Sequence, residues 1–161
     1  MPEKVRCITD VYILLHLKKA KVDYAKMMAK VTGLPLSKIK DSIDWLIKAG
    51  LIERDEGSAI KKSKAKFKKA YEVHKHHTYY KLSREGELLV RKMDYRWFEK
   101  FLKEQIKKDV FRELEELYKK NSLNKFSNEL TSIGFITKNG RKTKFFEAFA
   151  YVSGFFENKK N

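Results

Sequence analysis

Six lysines crowd into nine positions, at Lys61, Lys62, Lys64, Lys66, Lys68 and Lys69, and residues 61–81 carry eight lysines against one acid, Glu72. Ammonium groups this close repel one another, so the run opposes compaction and suits contact with a polyanion. Lysine is a point charge and not a planar fork, so such a run neutralises phosphates without reading bases. Six neutralised phosphates imply a logarithmic salt slope near −5, at about −0.9 each on a duplex. His74, His76 and His77 follow. In an extended chain His74 and His76 share a face, as a chelate needs, but no Cys, Asp or His pair nearby completes a tetrahedral set. They are read as packing, hydrogen-bonding or phosphate-contacting residues, and no metal and no cofactor is expected.

The whole chain sets the terms for these residues. It has 161 residues, 37 Lys and Arg against 21 Asp and Glu, and a net charge of +16. Residues 1–93 hold 22 basic and 11 acidic side chains, and residues 94–161 hold 15 and 10. Nucleic acid is the first partner such a charge suggests, an anionic membrane surface the second. Apolar residues make up 42% of the chain and aromatics 13%, enough to bury a core. The single cysteine, Cys7, excludes an internal disulfide framework. Apolar runs such as Ile13-Leu14-Leu15 fall far below the roughly 18 residues of a membrane span. No signal-peptide core precedes Lys18-Lys19. A cytoplasmic protein with no membrane partner is expected. None of G-x-x-x-x-G-K-[ST], H-E-x-x-H or G-x-S-x-G occurs, and the carboxylates sit beside lysines as on solvated helix faces, so no enzyme is expected.

The elements that must position these residues follow from periodicity and punctuation. Residues 8–19 carry an apolar stripe through Val11, Leu14 and Leu15. Asp23 reads as the N-cap of a second helix, Tyr24 to Val31, closed by Gly33. Ser37 reads as the N-cap of a third helix, whose stripe is Ile39, Ile43, Leu46 and Ile47 and whose stop is Gly50. Leu51–Arg54 and His77–Leu82 read as strands. Ser83 caps a fourth helix. The order is three helices, a strand, a basic loop, a strand and a helix, with a tight turn between the second and third helices.

Three stretches carry a resemblance: Leu36-Ser37-Lys38-Ile39, then Leu46-Ile47-Lys48-Ala49-Gly50-Leu51-Ile52-Glu53, then Tyr80-Lys81-Leu82-Ser83-Arg84-Glu85-Gly86. With them the chain resembles the winged helix-turn-helix DNA-binding proteins of bacterial and archaeal regulators. The segment from Gly57-Ser58-Ala59-Ile60 through His76-His77-Thr78-Tyr79-Tyr80 also resembles an uncharacterised archaeal winged-helix family. Gln105, the only glutamine of a lysine-rich chain, fits a thermophilic archaeon. The resemblance covers residues 8–93, with a wing at about 55–77. It implies a mainly α fold with a small β-hairpin (α+β), the third helix in the major groove and the wing on the phosphate backbone. The implied DNA-binding residues are Ser37, Lys38, Lys40 and Ser42 on the helix, and Lys61, Lys62, Lys64, Lys66, Lys68, Lys69 and Lys75 on the wing. Asp41 and Asp44 depart from this pattern, because they place acids on the face that meets DNA. Trp45 sits at the edge of the stripe, and Tyr79 and Tyr80 read as hairpin packing.

Residues 94–161 read as a helical extension. Phe98, Leu102, Ile106, Val110 and Leu114 recur at intervals of four, with Phe101 beside them, so one helix of about 40 Å is expected from 95 to 120. Asp94 is its candidate cap. Phe126, Leu130 and Ile133 suggest a short helix ending at Gly134, Asn139-Gly140 a turn, and Phe145 to Phe156 a last helix. An intrachain bundle or a homodimer satisfies this stripe. The aromatic surplus favours a homodimer through Phe98, Phe101, Leu102, Ile106, Val110 and Leu114. The expected function is a dimeric transcription regulator that binds double-stranded DNA. A protein-interaction module and a non-specific architectural nucleic-acid binder are the alternatives.

Overall fold

A computed structural model describes residues 4–56 and 77–157. The elements are α1 (Ile8–Ala20), β1 (Asp23–Tyr24), α2 (Ala25–Thr32), α3 (Leu36–Lys48), β2 (Ile52–Asp55), β3 (Tyr79–Leu82), α4 (Arg84–Lys92), α5 (Tyr95–Ile106), α6 (Phe111–Lys120), α7 (Asn128–Ser132) and α8 (Lys144–Ser153). The protein is mainly helical, with one small antiparallel sheet among the described residues, as the expected α+β class requires.

Helix α1 is buried on every side from Ile8 to Leu17, not along one stripe, because other elements surround it. Its polar residues therefore need partners. Asp10, fully buried, accepts from the Arg6 backbone amide at 2.8 Å and from the guanidinium at 3.3 Å. His16 bridges the Tyr12 hydroxyl (2.8 Å at Nδ1) and the Asp23 carboxylate (2.7 Å at Nε2). Burial pushes the Tyr12 phenol far above its usual range. This Tyr–His–Asp row ties α1 to β1.

Asp23 is thus a strand residue and not a helix cap. It pairs with Tyr80, and Tyr24 pairs with Tyr79, so the sheet has three strands in the order β1-β3-β2. The partner ladder runs from Ile52↔Leu82 to Asp55↔Tyr79. Between α1 and β1, Lys21 adopts φ 74°, ψ −50°, a conformation that costs an L residue about 1–3 kcal/mol.

The connection from α2 to α3 is short. Gly33 takes the left-handed conformation (φ 75°) and its N–H donates to Ala29 O. Pro35 is the cap residue before the first turn of α3, two positions earlier than the expected Ser37 cap. Ser83 does cap α4, accepting from Gly86 N at 3.0 Å, and its hydroxyl donates to Gly50 O at 2.6 Å. Asp94 caps α5 by accepting from Trp97 N at 2.8 Å.

The single 95–120 helix is corrected by the structure. It breaks at Lys107, which is left-handed (φ 58°), and restarts after Asp109, whose carboxylate accepts from Phe111 N at 3.1 Å. The break folds α6 back, with the Tyr95 hydroxyl on Glu115 and the Tyr95 and Phe111 rings stacked at 4.9 Å. Val110 belongs to the junction and not to a continuous stripe. Phe98, Phe101, Leu102, Val110 and Leu114 are buried inside the chain, and Ile106 is half-buried. The stripe read as a dimer interface is therefore interior. Helix α8 lies across α1 and α2, with Phe145 edge-on to Tyr12 at 5.7 Å. Phe98, Phe135, Phe145, Phe149 and Phe155 form one aromatic cluster. A single core thus runs from α1 into the C-terminal helices.

Candidate nucleic-acid interface

Helix α3 buries Ile39, Ser42, Ile43 and Leu46 and turns its other face to solvent. Ser37, Asp41, Asp44 and Lys48 lie about one turn apart on the outward stripe. Lys38 flanks it on one side and Lys40 on the other, all of them exposed. Ser42 is corrected: at 2% exposure it points into the core and touches no external partner. Periodicity already placed it beside Ile43, and its polarity alone suggested a contact.

The acid at Asp41 has an internal answer. Arg6 reaches its carboxylate at 3.3 Å while holding Asp10 and lying over the Trp45 ring at 5.0 Å. The Asp10 hydrogen bond raises the Arg6 pKa further still. Trp45 is half-buried and donates from Nε1 to Lys4 O at 3.0 Å, so it anchors the N-terminal segment to α3. Asp44 stands exposed on the outward face.

On the Lys40 side lies a cleft of about 240 Å³ lined by Tyr24, Lys26, Lys40, His77, Thr78 and Tyr80. The strand pairing Tyr24↔Tyr79 brings together residues more than fifty positions apart. Tyr24 stacks on His77 at 4.1 Å and meets Tyr79 edge-on at 5.1 Å. Burial raises the Tyr79 and Tyr80 phenols, so both remain neutral hydrogen-bonding groups at neutral pH. Lys26, Lys38, Lys40 and Lys48 take part in no ion pair among the described residues. Uncommitted ammonium groups beside an aromatic cleft suit an anion carrying a planar group.

Lys61, Lys62, Lys64, Lys66, Lys68, Lys69 and Lys75, with His74 and His76, lie outside the described residues. Their segment joins the Asp55 and Tyr79 ends of the β2–β3 ladder. That is the end of the sheet where His77 and Thr78 line the cleft.

Residues 5–93 match a family described as an uncharacterized protein conserved in archaea (DUF2250). The chain belongs to this family. The family match takes in the α2–α3 pair, all three strands and the cleft, and ends at Met93, the residue that closes α4. Helix α8, which covers α1 and α2, lies beyond the stretch matched by the archaeal family. No curated protein and no solved structure matches the chain. Among the described residues, no helix is long and apolar enough to cross a membrane.

Proposed function

We propose that this protein binds double-stranded DNA as a winged helix, with α3 in the major groove and the 57–76 segment along the phosphate backbone. The observation that carries this reading is the placement of Lys40 and Lys26 around the cleft between α3 and the end of the sheet from which the lysine-rich segment departs. Helix, short strand, helix, tight turn, helix and hairpin follow in the order such a fold needs, with the third strand between the other two. Ser37, Lys38, Lys40 and Lys48 meet the groove, and Lys26, Tyr24 and His77 extend the contact to a flanking phosphate. No arginine or asparagine lies on the outward stripe of α3, so the reading favours phosphate contact over base readout. Transcription regulation is part of the proposal, with selection from a random duplex pool as its check. A regulator enriches a motif, whereas an architectural binder enriches none.

The test is affinity for a random 30-base-pair duplex against salt. Neutralising the six clustered lysines with glutamine should flatten the logarithmic salt slope by about 5. Lys26→Ala and Lys40→Ala should each flatten it by about 1 and weaken binding uniformly across sequences. Unchanged binding in all three variants removes this reading. The alternative is a protein-docking face on α3, favoured by one observation: Asp44 and a 37%-exposed Ile47 stand beside the lysines. Under that reading Ile47→Glu abolishes partner capture and leaves duplex affinity unchanged.

A further inference from the structure

On another face of the protein, β1 stops too early. Continuing its register would set Val22 opposite Lys81 and Lys21 opposite Leu82. Instead the chain swings away through the positive-φ residue Lys21 and leaves a cleft of about 380 Å³ between α1, β3 and α4. Its lining divides by chemistry. Leu17 and Val90 are buried, and with Val22 and Leu82 they supply an apolar floor. Lys18, Lys21, Lys81 and Arg91 stand around it from three elements and the connecting turn. Glu87 is the one acid.

The cations are not occupied by one another's counterions. Lys81 sits 3.6 Å from Asp55, but Lys18, Lys21 and Arg91 form no ion pair among the described residues, and neither does Glu87. Three uncommitted cations converging on an apolar floor of this volume form a receptor with a defined preference. The floor takes a hydrocarbon or ring body, and the Arg91 fork with its lysine neighbours takes a carboxylate or phosphate head. Cationic and neutral ligands lack that head-group contact.

We propose that this cleft binds a small organic anion with an apolar body, its carboxylate or phosphate held by Arg91, Lys21 and Lys18 and its body lying on Leu17, Val22, Leu82 and Val90. The site does not depend on the nucleic-acid reading, because of the cleft near α3 it shares only strand β3.

Methyl and amide NMR spectra of the full chain, titrated with octanoate, octyl phosphate, octylamine and octanol, test it. The expected result is saturable shifts at Leu17, Val22 and Val90 with at least one of the two anions, and none with the amine or the alcohol. Whichever anion binds more tightly identifies the head group. Arg91→Ala should weaken that binding at least tenfold. Lys21→Gly keeps a residue at ease with positive φ while removing the charge, so it should weaken binding without unfolding the turn. The proposal is overturned if neither anion saturates by roughly 5 mM, too weak for a specific site. It is equally overturned if octylamine or octanol binds as well as the tighter of the two anions, or if both variants bind as the parent does.

Discussion

Gly86→Ala should lower stability by about 4 kcal/mol or more, despite sitting in a helix where alanine is intrinsically favoured by about 1 kcal/mol. A Cβ at this position lands 2.0 Å from the Leu51 carbonyl oxygen and 3.0 Å from its carbon. Overpacking against a mobile side chain costs about 1–3 kcal/mol, because the side chain rotates away. Here the obstacle is backbone, and it is pinned. Leu51 O accepts from Ser83 N at 3.0 Å, and the Ser83 hydroxyl donates to the neighbouring Gly50 O. Moving Leu51 breaks the knot that joins the end of α3 to the start of α4. Moving α4 lifts Leu89 and Val90 out of the core. Leu88→Ala, on the same helix at 47% exposure, is the control and should change stability by less than about 1 kcal/mol. Urea unfolding of both variants checks this. A Gly86→Ala midpoint equal to that of Leu88→Ala would mean that α4 slides freely over Leu51.

This contact explains why the stretch from Tyr80 to Gly86 is legible in the sequence. Its serine is a cap and its glycine is a close approach, and each has a compositional signature. Gly33 and Gly50 were legible for a similar reason, since both take positive φ at helix ends. Asp23 misled because aspartate favours helix caps, and nothing local reveals that its carboxylate belongs to His16 and its backbone to a two-residue strand. Strand β1 exists only through pairing with Tyr79 and Tyr80, and a local window cannot contain that pairing. The α5–α6 break was hidden differently. Lys107-Lys108-Asp109 holds no glycine or proline, and the interval-of-four apolar pattern continues through the bend. Asp109 supplies the restart by capping Phe111 N, a role that its position beside lysines disguised.

The candidate interface divides in the same way. Lys38, Lys40 and Ser37 follow from helical periodicity alone. Ser42 was misplaced by judging residue type over phase, since it falls one residue before Ile43 and on the same buried arc. Tyr24, Lys26 and His77 were missed as partners of Lys40 because they meet only across β1 and β3. The signal available was weak: a tyrosine and a histidine at opposite ends of a long separation, with only His77 beside a strand-forming residue, Thr78. The salt link from Arg6 to Asp41 was likewise invisible, although it removes half of the objection to acids on α3.

A chain ending at Met93 should fail to unfold cooperatively, although it contains everything the family match covers. The truncation removes α8, which lies across α1 and α2, and so exposes Tyr12, now fully buried against Phe145. Each aromatic or aliphatic side chain so uncovered forfeits about 1.5–3 kcal/mol. A handful of them is comparable to the 5–15 kcal/mol that holds an ordinary domain together. Phe149→Ala isolates the same effect in the full chain. Its ring is fully buried between Phe98 at 4.9 Å, Phe135 at 5.3 Å and Phe155 at 6.2 Å, so truncation leaves a cavity lined by rigid rings that cannot collapse. The expected loss is about 3–5 kcal/mol, read from the urea midpoint at unchanged slope. A dimer held by the Phe98–Leu114 stripe makes the opposite prediction: the short chain stays folded and becomes a monomer, and Phe149→Ala acts mainly on the association constant. Measuring solution mass together with the unfolding curve separates the two. If the 1–93 chain retains the full-length midpoint, the C-terminal helices are an accessory and the continuous core does not hold the protein together. If the midpoint collapses, the helices beyond the family match are what keep α1, and with it the α3 face and its cleft, in place.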